Sequence, residues 1–324
     1  KRNLSLIDCM KYSFVLPAYK ATYFKEAIDS ILNQTYNEFE LIIVNDASPE
    51  DIGSIVKSYD DQRIQYYVNE ENIGGKDLVA QWNLCVGYAT GDYIILASDD
   101  DLYAPDYLEK MDKLVQKYPL AKVFRPRVQL IDELNHVIKV EAYLNEETSL
   151  LEYIYMLHNN YIFGGVPYYI YNREAIINID GFVDMPLAWG SDDMTTMILA
   201  YNNGIKTSKD VLFSFRMSGD NITSKKNNVK MLKKKLRARK IYYSKIVNII
   251  EQLVPNNDMD LIYKKYMREK LQILLRKDIY GLFCGSTMWA CLGCIHELRT
   301  MISINWRWLI ASYAKKIGQS IVGY

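Results

Sequence analysis

The sequence predicts a doubly wound α/β fold over its first two thirds and a helical extension after it. Short apolar runs alternate with amphipathic segments over residues 12–97, which is the pattern of successive β-α-β units. The apolar runs are almost continuously hydrophobic, as expected for strands that are buried on both faces. From about residue 225, apolar residues recur at helical spacing instead. We therefore predict an α/β domain over 11–224 and a mainly helical region over 225–324.

Each predicted element rests on its own stretch of sequence. The four strands are YSFVL (12–16), FELIIV (39–44), RIQYYV (63–68) and YIILA (93–97). The helices between them span 24–35, 50–59 and 76–89, and the third is expected to bury a face formed by Leu78, Trp82, Cys85 and Ala89. In the C-terminal region the helical repeat is carried by Val229, Leu232, Leu236, Tyr243, Ile246 and Ile250.

Composition places the chain among ordinary globular proteins. Of its residues, 49% are hydrophobic and 24% are charged. The length of 324 residues is enough for one large or two modest domains. Five scattered cysteines suggest reduced thiols in the cytoplasm rather than a disulfide framework. The pair Cys291 and Cys294 has no second pair to complete a zinc site, so both are predicted to be core residues. The uncharged run at 279–295 is shorter than the roughly 20 residues of a spanning helix.

Polar residues collect where three of the predicted strands end. The first strand is followed by Pro17, Ala18 and Tyr19, the second by the NDAS segment with Asp46, and the fourth by the aspartates 99–101. A turn or a helix N-cap would explain each of these features separately. In a doubly wound sheet, however, ligands bind beyond the carboxyl ends of the strands. Three polar ends at one edge therefore favour a binding site.

The three consecutive aspartates predict a bound cation. Adjacent carboxylates repel one another unless a positive partner is present. Hard oxygen ligands suit Mg²⁺ or Mn²⁺, which are commonly bound by one or two carboxylates together with substrate phosphates. The chain has only three histidines, no GxxxxGK[ST] loop and no GxGxxG after the first strand, which disfavours kinase-like and dinucleotide chemistry. The predicted partner is a metal that bridges to a diphosphate.

Two segments carry a family resemblance. FVLPAYKATYFKEAIDSILNQTYNEFELIIVNDASPED resembles the opening of family 2 glycosyltransferases, which have the GT-A fold, and NEENIGGKDLVAQWNLCVGYATGDYIILASDDDLYAPDYL resembles the continuation through their DxD-type metal motif. The similarity covers roughly residues 11–220. It implies a mixed GT-A sheet flanked by helices, a nucleotide-sugar donor, and Mn²⁺ or Mg²⁺ as cofactor.

The resemblance also implies roles for individual residues on the donor side. Pro17, Ala18 and Tyr19 match the segment that lines the base pocket, and Asp46 matches the aspartate that hydrogen-bonds the base. Asp99 and Asp100 match the pair that holds ribose and metal, with Asp100 as the principal ligand. Asp101 either joins the metal site or supports the following turn. The position two residues before Asp99, commonly Asp in the family, is Ala97 here.

A second acidic pair lies in the segment PLAWGSDDMTTMILAYNNG (186–204). Asp192 and Asp193 fall in the first turn of a predicted helix, where acidic residues also complement the helix dipole without any function. The segment resembles the family's ED motif, which carries the general base, with Ser191 in place of the Glu. This assigns the base to Asp192, with Asp193 as the rival. Arg216 is assigned to the diphosphate, although the family's histidine two positions later is Ser218 here.

The predicted reaction is transfer of a sugar from a nucleotide-diphosphate donor, UDP-linked, to a hydroxyl group. The resemblance implies inversion, and it suggests a role in a bacterial-type surface polysaccharide or related glycan. One rival is a sugar-phosphate nucleotidyltransferase, which should have a Gly-rich basic loop after the first strand; PAYKATYF is not one. The other rival is a catalytically inactive nucleotide-sugar-binding protein, against which the retained aspartates argue.

The C-terminal region concentrates positive charge. Residues 225–245 contain ten Lys and Arg, so the rest of the chain carries a net charge of −10 because the whole is neutral. The ordinary interpretation is a solvated basic helix packed on the protein. The alternative is peripheral attachment at the inner face of a membrane, giving access to a lipid-linked acceptor, with an aromatic tail from Trp306 at the interface. No nucleic-acid partner is predicted, because no recognised nucleic-acid-binding motif is present.

Overall fold

The computed structural model describes residues 12–217, 228–286 and 288–294. Contacts divide the chain into two compact units. Within the described residues, an α/β unit comprises 12–184 and 191–217, and a helical unit comprises 185–190, 228–286 and 288–294. The boundary predicted after residue 224 lies outside the described residues.

The α/β unit is built on one mixed sheet, which confirms the predicted α/β fold with a mixed sheet. Within the described residues, strands β1 to β10 span Tyr12–Ala18, Phe39–Asn45, Ile64–Val68, Tyr93–Leu96, Leu102–Tyr103, Val123–Ile131, Val137–Val140, Glu147–Thr148, Ile170–Asn172 and Ile205–Arg216. Their order across the sheet is β3-β2-β1-β4-β9-β6-β10-β5, with β7 paired to β6 and β8 paired to β10.

Helices alternate with these strands along the chain. In the α/β unit, helices α1 to α7 span Phe24–Leu32, Ile52–Lys57, Leu78–Gly87, Tyr107–Lys117, Leu150–His158, Arg173–Ile177 and Ser191–Leu199. In the helical unit, α8, α9 and α10 span Val229–Gln252, Asp258–Cys284 and Met288–Leu292. No described helix combines the length and the apolar character needed to cross a membrane.

The register of the parallel strands fixes which residues meet at the sheet edge. Strand β1 pairs in parallel with both β2 and β4, and β2 pairs in parallel with β3. Ala18 is opposite Asn45, and Val15 is opposite Leu96. Continuing the second register by three residues brings Asp99 level with Ala18. The carboxyl ends of β1, β2 and β4 therefore lie at one edge, as the sequence predicts.

Two helices of the α/β unit differ in detail from the prediction. The second, predicted over 50–59, spans Ile52–Lys57 and begins after Asp51, whose carboxylate accepts the Ser54 N–H at 3.0 Å. The predicted face of α3 is only partly right: Cys85 and Ala89 are buried, but Leu78 and Trp82 are half-exposed. Instead α3 buries Val79, Gln81 and Val86, and the Gln81 side chain accepts the Asn69 side-chain N–H at 2.8 Å.

The first long helix of the helical unit follows the predicted repeat. Of the six apolar positions that predict it, Val229 is 38% exposed and the other five are buried in α8. The neighbouring α9 packs against this helix, with Met267, Leu271 and Leu275 buried. The aromatic tail from Trp306 lies outside the described residues.

Candidate active site

Asp99 joins the end of β4 to the end of β1. Its Oδ2 accepts the backbone N–H of Tyr19 at 3.0 Å and that of Lys20 at 2.8 Å. Burial raises the pKa of the Asp99 carboxyl, although these two N–H groups act in the opposite direction. The structure therefore places two predicted donor-side segments, Tyr19 and Asp99, in direct contact.

Asp46 lies at the end of β2 beside the same segment. Its backbone N–H donates to the Ala18 carbonyl at 3.0 Å. Its carboxylate accepts three N–H groups at 2.8 Å, from the Asn69 side chain and from the backbones of Ile73 and Gly74. A Cβ on Gly74 would lie 2.9 Å from Asp46 Oδ2. The glycine is therefore required for this close approach of backbone to carboxylate.

The predicted base-lining residues lie at the end of β1. Pro17 is half-buried and Ala18 is buried, whereas Tyr19 is 42% exposed. The Tyr19 carbonyl accepts the Ser48 hydroxyl at 2.5 Å, and the Ser48 N–H is held by the Asn45 side chain at 2.8 Å. The loops after β1 and β2 are thus tied together and leave the Tyr19 ring accessible.

The aspartates after β4 occupy three different environments. Asp100 is half-buried, and its pKa is raised to about 6 by burial and then by the charge of Asp99, while Lys20 and Arg216 act in the opposite direction. Asp101 is fully buried, and burial followed by the Asp100 charge raises its pKa well above the usual range. None of the three caps α4, which has no side-chain cap.

Arg216, at the end of β10, faces the protein interior. It is 0% exposed, and its backbone N–H donates to Asp101 Oδ1 at 2.9 Å. Its guanidinium donates to the Asp100 carbonyl at 2.8 Å, to Asn135 Oδ1 at 2.6 Å and to Glu26 Oε2 at 3.0 Å, and it lies over the Tyr23 ring. In this geometry the side chain supports the aspartate loop, and its contact with the diphosphate stays a prediction.

The donor set fits a divalent metal shared with a substrate. The described residues contain no cluster of three Asp, Glu, His or Cys side chains that would hold an ion by themselves. Asp99 and Asp100 nevertheless present half-exposed, mutually repelling carboxylates, so a dication near them would be stabilised. This is the arrangement expected for Mg²⁺ or Mn²⁺ whose remaining ligands are water and phosphate oxygens.

A second acidic centre is formed at the start of α7. Asp192 and Asp193 are both half-buried in its first turn. Burial, followed by the charge of Asp193, raises the pKa of Asp192 to about 7. A carboxylate with a pKa near 7 suits general-base catalysis at neutral pH.

The Asp193 carboxylate lies close to the backbone of Gly164. A Cβ on Gly164 would lie 3.0 Å from Asp193 Oδ1 and 3.1 Å from Leu157 Cδ1. A Cβ on the next residue, Gly165, would meet the Tyr168 ring at 2.9 Å. The two glycines thus allow the backbone to pass close to side chains of the protein.

The helical unit explains part of the basic segment. Lys235 Nζ and the Arg239 guanidinium lie over the Trp189 ring, 5.2 and 4.6 Å from its centroid. Arg239 also forms an ion pair with Asp278 at 3.2 Å. Lys234, Arg237 and Lys240 are exposed. Two of the basic residues therefore pack inside the helical unit, and these three face solvent.

Several residues at the site were missed by sequence reasoning. Asn69 and Gly74 hold the Asp46 carboxylate, and the Gly74–Gly75 dipeptide is the signal that would have indicated a close backbone approach. Lys20 follows the predicted Tyr19 directly. Glu26 reaches Arg216 across 190 residues of sequence, and no local pattern indicates that contact.

Comparison with known proteins agrees with this architecture. Residues 13–179 match the family described as Glycosyl transferase family 2. The chain is 33% identical over 111 residues to glycosyltransferase GlyA of Streptococcus pneumoniae and 38% identical over 111 residues to the putative glycosyltransferase EpsE of Bacillus subtilis. Each match covers 33% of this chain, but only 15% of GlyA and 39% of EpsE. The chain thus spans less than half the length of these relatives.

Two solved structures have a similar fold. Staphylococcus aureus TarS 1–349 in complex with UDP-GlcNAc has a TM-score of 0.60 at 16% identity, with 95% of this chain and 89% of that chain covered. The mannosyltransferase PcManGT of Pyrobaculum calidifontis, in complex with GDP-Man and Mn²⁺, has a TM-score of 0.53 at 14% identity, covering 94% and 86%. The predicted GT-A fold is confirmed.

Proposed function

Since this chain belongs to glycosyl transferase family 2, we propose that it transfers a sugar from a UDP-linked donor to a hydroxyl group with inversion. The observation that carries the proposal is the joining of three strand ends. Asp99 binds the backbone after β1 while Asp46 contacts Ala18, so the polar ends of β1, β2 and β4 form one surface. Ligands of doubly wound sheets bind at such an edge.

The donor's nucleoside is assigned to the surface between Tyr19 and Asp46. A carboxylate offers about four lone-pair sites and only accepts hydrogen bonds. Three N–H groups already bind the Asp46 carboxylate, which leaves room for the N3–H of uracil. Pro17, Ala18 and Tyr19 line the base in this assignment, and Asp99 lies on the ribose side.

The diphosphate and its metal are assigned to the aspartate loop. Asp100, with Asp99, would hold Mg²⁺ or Mn²⁺, and Asp101 supports the loop through its contact with the Arg216 backbone. The metal would neutralise charge on the departing nucleoside diphosphate. Arg216 contributes by fixing the Asp100 carbonyl and the loop that carries these carboxylates.

Asp192 acts on the acceptor. Its carboxylate takes the proton of the acceptor hydroxyl while that oxygen bonds to the anomeric carbon and the bond to the diphosphate breaks. Attack on the face opposite the leaving group inverts the configuration. The pKa of about 7 leaves a sufficient fraction of Asp192 ionised at neutral pH and makes it a stronger base than an ordinary Asp.

The acceptor is proposed to be a growing bacterial-type surface glycan, reached from the cytoplasmic side. A lipid-linked acceptor would require the enzyme to work at the membrane surface, for which the exposed basic residues of α8 are suited. The helical region over 225–324 would then serve attachment, and the catalytic domain would extend over 11–224.

Binding and turnover of nucleotide sugars test the proposal. We expect UDP and UDP-sugars to bind with Mn²⁺ or Mg²⁺ and to bind more weakly after chelation with EDTA. Slow release of UDP from one UDP-sugar without acceptor should identify the donor, and the product's anomeric configuration should be inverted. If no nucleotide sugar binds in the presence of metal, or if a sugar phosphate and a nucleoside triphosphate are converted instead, the proposal is wrong.

A further inference from the structure

A buried ion pair in the α/β unit binds both backbone groups of a single residue, Phe163. Arg125, on β6, and Glu141, after β7, are each 1% exposed, and their side chains meet at 3.0 Å. Glu141 Oε2 accepts the Phe163 backbone N–H at 3.0 Å, and Arg125 Nη2 donates to the Phe163 carbonyl at 3.2 Å. The two backbone groups of one residue are thus bound by the opposite charges of one pair.

The pair is itself held rigidly. Glu141 Oε1 accepts the Val128 N–H at 2.9 Å, and the Arg125 guanidinium lies 5.7 Å from the centroid of the Tyr169 ring. The Tyr169 hydroxyl in turn contacts the Tyr153 hydroxyl at 2.5 Å. A buried ion pair adds little net stability, because desolvation of both charges offsets their attraction. The pair is therefore better explained by the position that it gives to the Phe163 backbone than by a contribution to stability.

The backbone held at Phe163 continues into Gly164, which lies beside Asp193 on α7. Gly164 follows Phe163, is exposed to solvent, and lies so close to Asp193 that an added Cβ would be 3.0 Å from Oδ1. A Cβ on the next residue, Gly165, would meet the Tyr168 ring at 2.9 Å. A shift of the backbone at Phe163 would consequently move the surface against which Asp193 rests.

We propose that the Arg125–Glu141 pair positions the acceptor side of the site by fixing Phe163, so that Gly164 seats the Asp193 carboxylate beside Asp192. Neither charged residue touches the substrate; both act through the backbone and are positioning residues. The inference rests on the proposed function, because it assigns the acidic pair to the acceptor.

The test replaces both charges together. Arg125→Met combined with Glu141→Leu removes the clamp without leaving one buried charge unpaired, which single variants would do. We expect a folded protein whose kcat falls about 10- to 100-fold, because small misplacements of reacting groups have effects of this size. The acceptor KM should rise, and the donor KM should stay unchanged. The matched control is Lys206→Met with Glu147→Leu, which removes an ion pair between β8 and β10 and should leave all three constants unchanged.

A titration of Asp192 tests the proposal without measuring turnover. The Asp192 titration, followed by carboxyl ¹³C NMR, should shift from about 7 towards the usual range of an Asp carboxyl in the double variant, because a loosened Gly164 segment admits water. The ionisable groups near this carboxyl are Asp193 on α7 and Tyr169 and Tyr171 at β9, and they are the same in both proteins. An unchanged titration together with unchanged kcat and acceptor KM would overturn the proposal.

A second variant tests the proposal if the double variant does not fold. Gly164→Ala leaves the ion pair intact and pushes on Asp193 directly, so it should reproduce the fall in kcat and the rise in acceptor KM. Wild-type kinetics in this variant would count against the inference. Absence of transfer by the wild type would instead refute the proposed function, and the NMR titration would still decide whether the pair positions the acidic centre.

Discussion

The Asp99 carboxylate accepts the Tyr19 backbone N–H at 3.0 Å, which connects two segments 80 residues apart in sequence. The connection follows from the parallel register of β1 and β4, which brings Asp99 level with Ala18. Because Asp99 is tied to the backbone in this way, we propose Asp100 as the principal metal ligand.

Asp100→Asn should abolish metal-dependent UDP binding and leave the fold intact. The substitution removes a charged metal ligand, and it also removes repulsion between neighbouring carboxylates, so unfolding should not become easier. Calorimetric titration with UDP and Mn²⁺ measures the first effect and thermal unfolding the second. Tight, Mn²⁺-dependent UDP binding by this variant would remove Asp100 from the metal site.

Gly74→Ala should weaken UDP binding about tenfold. The added Cβ would lie 2.9 Å from Asp46 Oδ2, so either the 73–74 backbone or the Asp46 side chain must move. The control is Gly87→Ala on α3, where a Cβ meets nothing within 4 Å. It should leave UDP binding unchanged and stabilise the helix by about 0.5–1 kcal/mol. Equal UDP affinity in both variants would show that the Asp46–Gly74 contact does not shape the nucleotide surface.

The strand ends of the donor side were predictable from sequence because the residues that mark each end are neighbours along the chain. Asp46 and the aspartates 99–101 follow apolar runs directly, and parallel strands place such ends together. The partners of these residues were not predictable in the same way. Glu26 contacts Arg216, and Arg125 pairs with Glu141, through the folded arrangement of distant strands and helices.

Arg216 shows most clearly what sequence leaves undecided. An arginine after a strand near a diphosphate site suggests phosphate binding, and only its burial and its contacts with Asp100, Asn135 and Glu26 indicate a supporting position. The buried face of α3 was predicted only in part, because apolar residues lie on more than one side of this helix and their spacing does not decide which side is buried.

Asp192→Asn should bind donor normally and lose transfer by roughly 10²–10⁴-fold, the usual contribution of a general base. The amide keeps the size of the side chain but cannot accept the acceptor's proton. Asp193→Asn is the matched comparison and should retain most of its transfer activity. Initial rates and UDP affinity measure both effects. If Asp193→Asn shows the larger loss, the base is Asp193.

The rate of transfer should rise with pH through about 7 and then level off. Asp192 acts in its ionised form, and burial holds its pKa at about 7. The profile of kcat/KM against pH tests this, with Asp192→Asn expected to lack the rise. A wild-type rate independent of pH between 5 and 8 would contradict the assignment.

The contribution of Asp192 to folding stability should fall as pH rises, whereas the rate of transfer should rise. The Asp192 pKa is higher in the folded protein than in the unfolded chain, so its contribution is complete below about pH 4 and is lost as pH rises through about 7. Relative to wild type, Asp192→Asn should therefore gain roughly 1–3 kcal/mol of unfolding free energy between pH 4 and pH 8. Chemical denaturation at the two pH values measures the difference, and a constant offset would show that Asp192 is not desolvated.

The exposed basic residues of α8 should attract the protein to anionic membranes. Lys235 and Arg239 are engaged with Trp189, so the charges free to face a bilayer include Lys234, Arg237 and Lys240. Each basic residue near an anionic surface contributes about 1 kcal/mol, so replacing these three with Ser should weaken liposome binding by roughly 10²-fold.

Co-sedimentation with anionic liposomes at low and high salt measures this attraction. Binding should weaken as salt rises, because the Debye length is about 30 Å at 0.01 M and about 8 Å at physiological ionic strength. The control removes three equally charged, exposed residues from the α/β unit, Lys25, Lys76 and Lys113, and should bind like the wild type. If the wild-type chain stays in the supernatant at low salt, the basic helix serves packing and not attachment. If both triple variants lose binding equally, the attraction follows total charge and the position of α8 is irrelevant.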